Sequence, residues 1–101
     1  MILYNITVNI HSDFEEEWLQ WMKGKHIPKV LATGYFLEHK IFKLLNETPD
    51  NDGATYSIQY FVESMEELNE YQIKEAPQLQ KEHAERFKDK FVAFRTFLES
   101  V

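Results

Sequence analysis

The histidines and one strand arginine are the side chains of this sequence best suited to chemistry. His26 precedes Pro28, and because an imidazole titrates near neutral pH, it can act as general acid, general base or ligand donor. Alternatively, His26 caps the carbonyls that end the preceding helix and fixes the turn. His83 lies one helical turn from Leu79 and from Phe87, which makes it either a half-buried, hydrogen-bonded residue or part of a pocket rim. We therefore name His26 and His83 as candidate catalytic residues.

Arg95 interrupts an otherwise aromatic strand, FVAFRTF, on the face opposite Phe94. A guanidinium held there can bind a ligand carboxylate through two parallel hydrogen bonds. The alternative is a salt bridge at a dimer interface to Glu38, Glu63 or Glu99 of either subunit. Arg95 is therefore a candidate ligand-binding residue.

Neutral polar side chains form a second group of candidate ligand-binding residues. Asn5, Thr7, Asn9 and Gln59 occupy alternate positions of two predicted strands, where they can orient an uncharged polar ligand or bind ordered water. His39 lies inside another predicted strand and faces either a cavity or an exposed edge. We include Asn5, Thr7, Gln59 and His39 with Arg95 as ligand-binding candidates.

The spacing of the metal-ligating and phosphate-binding residue types does not match known sites. The four histidines show no HxH, HxxxH or HExxH spacing, so a metal site would require His26, His39 and His83 to converge in space. A Gly-rich phosphate loop, a G-x-S-x-G turn and cysteine are all absent from the sequence. Trp18 and Trp21 have the spacing of a helix face packed in a core. We expect neither a metal nor a cofactor.

Composition limits the class of protein and its partners. The 101 residues are 44% hydrophobic and 15% aromatic, which suits one domain with a thin core. The net charge of -6 repels nucleic acid and anionic membrane surfaces, so we expect neither as a partner. The absence of cysteine, of a signal peptide and of a long apolar run predicts a cytoplasmic protein.

The periodicity of apolar residues predicts the elements that must position these groups. Strict alternation over residues 2–10 indicates a strand with one core face. Ser12 and Glu15 have capping-box spacing, so a helix should begin at Ser12 and close near Gly24 and Pro28, with at most one further turn before Gly34. A second strand is expected at about residues 35–46, a hairpin loop at 47–53 and a third strand at 54–63.

The second half of the sequence repeats this pattern. Ser64 and Glu67 form another capping box, and Pro77 should interrupt the helix near Ala76 before a further helix that carries His83. A fourth strand follows at residues 91–99. The order β-α-β-β-α-β predicts an α+β, ferredoxin-like domain over residues 1–101, with a four-stranded antiparallel sheet and helices on one face.

The uncovered face of that sheet should carry both polar and aromatic side chains. We expect it to hold Asn5, Thr7, Asn9, Ser57, Gln59 and Phe61, joined by Phe91, Arg95 and Phe97 if the last strand has the matching register. Such a face is best explained by burial against another subunit. The sequence therefore predicts a homodimer in which two sheets enclose a space.

Several segments resemble a known family. Trp18 to Met22, His26-Ile27-Pro28, VLATGYF and the closing FVAFRT closely resemble a family of roughly hundred-residue bacterial proteins of unknown function, over almost the whole chain. More distantly, the His-x-Pro turn before a Gly-aromatic strand resembles the dimeric α+β barrel superfamily, which includes antibiotic-biosynthesis monooxygenase-like and EthD-like proteins. This resemblance implies a dimeric ferredoxin-like subunit, often with a small organic ligand, and no particular reaction.

Three functions fit these observations. The first is a small-molecule binding protein whose cavity holds an apolar or aromatic compound, oriented by Arg95 and neutral polar groups. The second is a cofactor-free enzyme, monooxygenase-like or isomerase-like, in which His26 or His83 moves protons. The third is a structural dimerisation module without a ligand.

Overall fold

Four antiparallel strands form one sheet in the computed structural model, which describes residues 1–47 and 52–101. Helices cover one face of this sheet, as the sequence predicted. The elements in chain order are β1 (Ile2–His11), a 3-10 turn (Ser12–Phe14), α1 (Glu15–Trp21), a π-helical turn (Met22–His26), α2 (Ile27–Ala32), β2 (Glu38–Lys43), β3 (Gly53–Val62), α3 (Met65–Lys74), α4 (Ala76–Arg86) and β4 (Phe91–Glu99).

The strand order β2-β3-β1-β4 places β1 and β3 at the centre of the sheet. Ile6 of β1 is paired with Ile58 of β3 on one side and with Arg95 of β4 on the other. Thr7 is paired in the same way with Ser57 and Phe94. Directly paired residues share a face of the sheet, so this register fixes which side chains meet the helices. The arrangement confirms the ferredoxin-like fold.

The core lies between the helices and one face of β1 and β3. Alternate residues of both strands are buried there, as the period of two predicted. The helices contribute large apolar side chains to the same layer. Its members include Tyr4, Val8, Ile10, Ile58, Tyr60, Val62, Trp18, Met22, Ile27, Val30, Leu68, Tyr71, Leu79 and Phe87.

The first helical segment begins at Ser12, as predicted, but as a 3-10 turn that becomes α-helical at Glu15, and it ends later than predicted. The predicted cap is wrong, because the hydroxyl of Ser12 donates to the carbonyl of Asp52 at 2.6 Å, while His11 Nδ1 accepts from the backbone N–H of Asp13. Helical backbone then runs on past Gly24 through the π-helical turn into α2. Pro28 does not break this run, and it lies where the π-helical turn passes into α2.

The two helices of the second half agree closely with the sequence. Ser64 caps α3, and its hydroxyl oxygen accepts from the backbone N–H of Glu67 at 3.2 Å. Glu75 separates α3 from α4, and Pro77 lies in the first turn of α4. The break near Ala76 is therefore confirmed.

The second strand is shorter than predicted. β2 spans only Glu38–Lys43, and the residues that precede it leave the strand geometry. Phe36 is buried in the core, where its ring lies 5.0 Å from that of Tyr60. Phe36 therefore belongs to the aromatic core and lies outside the paired strand. The predicted hairpin loop lies partly outside the described residues.

The register of β4 corrects the predicted location of Arg95. Phe91, Arg95 and Phe97 are paired with Ile10, Ile6 and Tyr4, so they lie on the helix-covered face. The register under which they would have joined the open face is therefore not the one observed. Val92, Phe94 and Leu98 occupy the open face instead. Alternation alone could not decide between these two faces, because both carry apolar residues.

Two glycines provide a matched test of the helical run. Gly34 follows α2 with φ of +86°, a conformation that side chains disfavour, whereas a Cβ at Gly24 would meet no atom within 4 Å. We predict that Gly34→Ala lowers the free energy of unfolding by about 1 kcal/mol and that Gly24→Ala raises it by about 0.5 kcal/mol. Urea unfolding measures both. Equal effects of the two substitutions would contradict the assigned helix end.

Candidate functional site

A cavity of about 390 Å³ lies between the helices and the sheet. Its lining is mainly apolar and aromatic, and includes three tyrosines, Tyr4, Tyr60 and Tyr71. Two candidate catalytic residues, His26 and His83, and the candidate ligand-binding residue Arg95 also line it. The more exposed lining residues include Gln80, Ala84 and Arg95, which places the mouth between α4 and β4.

The π-helical turn Met22–His26 brings His26 to this cavity. A π-helix inserts a residue relative to an α-helix and so changes the direction of the side chains that follow it. His26, the last residue of the turn, stacks on Trp21 with ring centroids 5.0 Å apart and rings tilted by 24°. It does not cap a helix end, because the helical backbone continues through Ile27 into α2.

A buried hydrogen bond holds His83. The indole Nε1 of Trp18 donates to Nε2 of His83 at 2.9 Å, which joins α1 to α4 above the sheet. Phe91 of β4 contacts the same imidazole edge-on, with ring centroids 4.3 Å apart. His83 is only 9% exposed, so its ring is held on one side by α1 and on another by β4.

The two histidines of the cavity are neighbours and are neutral at pH 7. Their ring centroids lie 5.6 Å apart. Burial lowers the pKa of His26 to about 4, with Lys29 and Arg95 acting in the same direction against the opposing carboxylate of Glu82. Burial also lowers the pKa of His83 to about 4, and His26 and Arg95 add to that effect.

Arg95 supplies the positive charge of the cavity. Its Nε donates to the hydroxyl of Tyr4 at 3.1 Å, which orients the guanidinium across β4 and β1. A guanidinium carries five N–H donors, so this bond leaves its terminal N–H groups for a ligand. Burial raises the pKa of Tyr60 and Tyr71 above the ordinary value, so both keep their hydroxyl protons at neutral pH.

The family follows from a match over residues 1–101 to the model described as Domain of unknown function (DUF4286). The chain belongs to the DUF4286 family. The resemblance to a family of unknown function is thereby confirmed. Comparison with curated proteins gives no match.

Solved structures that resemble this DUF4286 chain share its fold at low identity. A dimeric ferredoxin-like protein from an uncultured marine organism is 18% identical, with a TM-score of 0.71 over 100% of this chain and 95% of its own. An EthD family protein from Bacillus halodurans is 12% identical, with a TM-score of 0.68 and 100% of both chains covered. An antibiotic biosynthesis monooxygenase is also 12% identical, with a TM-score of 0.62 over 100% of this chain and 99% of its own.

The neutral polar candidates of the DUF4286 chain lie on the opposite face of the sheet from the cavity. The Oδ1 of Asn5 accepts from Ser57 at 2.6 Å, while its Nδ2 donates to Thr7 at 3.1 Å. Gln59 donates to the same Ser57 hydroxyl at 3.2 Å. The prediction that Asn5, Thr7 and Gln59 share a space with Arg95 is therefore wrong, because β4 has the other register.

His39 is separate from both groups. It is paired with Tyr60 on the edge strand β2, where it is exposed, and it does not line the cavity. Of the three histidines named for a metal, the structure brings only His26 and His83 together. Within residues 1–47 and 52–101, no three metal-ligating side chains form a group that could hold an ion.

Trp18 and the cavity tyrosines were missed as site residues. The spacing of Trp18 predicts a core position, where it lies, yet its indole N–H also fixes a candidate catalytic residue. Tyr4 and Tyr60 occupy core-facing positions of their strands, and a buried tyrosine hydroxyl needs a polar neighbour. That requirement is the signal that could have placed polar groups in the core on the helix side.

Within the described part of the DUF4286 chain, no helix is long and apolar enough to cross a membrane. The cytoplasmic location stays a prediction from the sequence.

The lowered histidine pKa values predict a loss of stability in acid. Between about pH 6.5 and 4 the unfolded chain binds protons at His26 and His83 that the folded chain does not bind, so the free energy of unfolding falls as the pH falls through this window. For the well-buried His83 the loss is on the order of 3 kcal/mol. Urea unfolding at a series of pH values measures it.

Two variants separate this effect from the titration of carboxylates. His26→Gln should flatten the dependence of stability on pH between 6.5 and 4, whereas His39→Gln, on the exposed edge strand, should leave the slope unchanged. A slope that is the same in wild type and His26→Gln would contradict the burial of a neutral imidazole at this position.

Proposed function

We propose that this protein binds a small apolar or aromatic molecule in the cavity between its helices and its sheet. The observation that carries the proposal is the cavity of about 390 Å³, whose walls are aromatic and aliphatic and whose mouth holds Arg95. Pockets for small organic ligands have volumes of about 300 to 1,000 Å³ and combine apolar walls with a few polar groups that orient the ligand. Arg95 is the orienting group of this proposal.

A dye-binding experiment tests the site. We predict that 1-anilinonaphthalene-8-sulfonate, an aromatic anion, binds wild-type protein with a rise in fluorescence and that Ala84→Trp, which fills the mouth, weakens binding about tenfold or more. Glu85→Trp is the matched control, since Glu85 is exposed on the same helix and does not line the cavity. No binding by wild type, or equal binding by the two variants, would contradict the proposal.

We propose further that two subunits pair through the open face of the sheet. Exposed apolar side chains on that face, Phe42, Val92, Phe94 and Leu98, surround the hydrogen-bonded group of Asn5, Thr7, Ser57 and Gln59. Large apolar patches on a sheet are characteristic of subunit interfaces. A structural relative that is itself described as dimeric supports the same pairing.

A single charge on the open face should prevent this pairing. We predict that Phe94→Glu yields monomers, because the carboxylate would be buried without a partner between two sheets. Ile73→Glu is the control, since Ile73 of α3 is 78% exposed and Phe94 is 63% exposed, but α3 lies on the helix side. Analytical ultracentrifugation reports the mass of each protein. A wild-type monomer, or a dimer of Phe94→Glu, would refute the interface.

A cofactor-free enzyme is the second candidate function. It is favoured by the pair of neutral imidazoles, His26 and His83, that lie 5.6 Å apart in the same cavity as Arg95. Such groups can act on a bound substrate from which apolar walls exclude water. The likeness to an antibiotic biosynthesis monooxygenase agrees with this candidate, although at 12% identity it concerns the fold.

A further inference from the structure

We infer that the ligand of the cavity is an aromatic or apolar molecule whose polar end carries oxygen acceptors, in a carboxylate or a carbonyl. His26 and His83 bind this end as neutral N–H donors beside Arg95. The inference rests on the proposed function, because it names the chemical class of ligand for the same cavity. It also assigns the two histidines a role that differs from that of a general base.

The proton of His83 is placed by Trp18. An indole N–H is a donor only, so Nε2 of His83, which lies 2.9 Å from it, must be the acceptor of that hydrogen bond. In a neutral imidazole the other nitrogen then carries the proton. The only ring nitrogen of His83 that a ligand can still engage is therefore an N–H donor.

The proton of His26 is placed by its unpartnered nitrogen. Nδ1 of His26 is buried and has no hydrogen-bond partner among residues 1–47 and 52–101. A buried N–H without an acceptor is rarer in proteins than a buried acceptor without a donor, so the favoured tautomer carries its proton on Nε2. Because Nδ1 is closed off from solvent, a ligand in the cavity reaches His26 through its Nε2–H.

The cavity therefore offers more hydrogen-bond donors than acceptors. The donors are two imidazole N–H groups, the terminal N–H groups of Arg95 and the hydroxyls of Tyr60 and Tyr71. They face few acceptors, since no Asp or Glu belongs to the described lining. The amide oxygen of Gln80 and the tyrosine oxygens are the strong side-chain acceptors there. Such a set matches a ligand that presents oxygen lone pairs, most favourably an anionic oxygen.

This arrangement also changes how the second candidate function would work. In these tautomers the nitrogens that a ligand can reach, Nε2 of His26 and Nδ1 of His83, already carry a proton and cannot accept another. They can stabilise negative charge that develops on a substrate oxygen, as preorganised donors do in an oxyanion hole. The structure thus favours charge stabilisation over proton abstraction for this pair.

A series of naphthalene probes of similar size tests the class of ligand. Isothermal titration calorimetry at pH 7.5 would compare naphthalene-2-carboxylate, 2-acetylnaphthalene and 2-naphthylmethylammonium. We predict that the carboxylate binds about tenfold or more tightly than the ammonium and that the neutral ketone lies between them. Ala84→Trp should weaken binding of the carboxylate, and Glu85→Trp should not.

The outcomes separate the inference from the proposed function. If the ammonium binds as tightly as the carboxylate and Ala84→Trp blocks both, the cavity is a binding site and only the inferred class of ligand is wrong. If no probe binds, or if Ala84→Trp changes nothing, both the inference and the proposed function fail.

The tautomers can be observed directly. Nitrogen-15 NMR of histidine-labelled protein at pH 7, assigned with His26→Gln and His83→Gln, should show His83 protonated on Nδ1 and His26 on Nε2. Trp18→Phe should shift His83 toward a mixture of tautomers, and His39→Gln should change neither signal. An imidazolium, or the opposite tautomer, at either position in the wild type would overturn the inference.

Discussion

The hydrogen bond from Trp18 to His83 is the interaction on which the rest of the site depends. It joins the first and last long helical segments above the sheet, in a layer where water does not compete for either partner. Since a buried polar group without a partner destabilises a protein by about 1 to 3 kcal/mol, each of these two residues requires the other. The same bond determines which nitrogen of His83 remains for a ligand. One hydrogen bond therefore fixes both the packing of α1 against α4 and the group that His83 offers to the cavity.

The second constraint is that the side chains of each strand alternate between the two faces of the sheet, and the register determines which set faces the helices. Alternation in β1 and β3 set apolar against polar residues, and for these strands the assignment from sequence is confirmed. β4 carries apolar residues at nearly every position, so the pattern did not distinguish its faces, and the structure turns Arg95 toward the helices. The register of β4 therefore places the guanidinium of Arg95 at the cavity and not at the expected interface between subunits.

Local signals account for most of the fold and for little of the site. The cap at Ser64 and the break at Pro77 are determined by neighbours in the chain, and both are confirmed. The π-helical turn that carries His26 has no comparable signal, because Gly24 and Pro28 suggested a helix end where the helix continues. The meeting of His26, His83 and Arg95 depends on contacts between distant segments, and a single sequence does not show them.

Nδ1 of His26, which has no hydrogen-bond partner among the described residues, indicates that this cavity has a role beyond packing. A phenylalanine could stack on Trp21 as His26 does, without a buried acceptor that lacks a donor. Keeping an imidazole there weakens the protein in acid, since burial holds its pKa near 4. Residues that are less stabilising than an available alternative concentrate at functional sites. His26 is such a residue, and it lies beside a second neutral histidine and a guanidinium. The presence of histidine at this position is explained if Nε2, the other ring nitrogen of His26, binds a ligand.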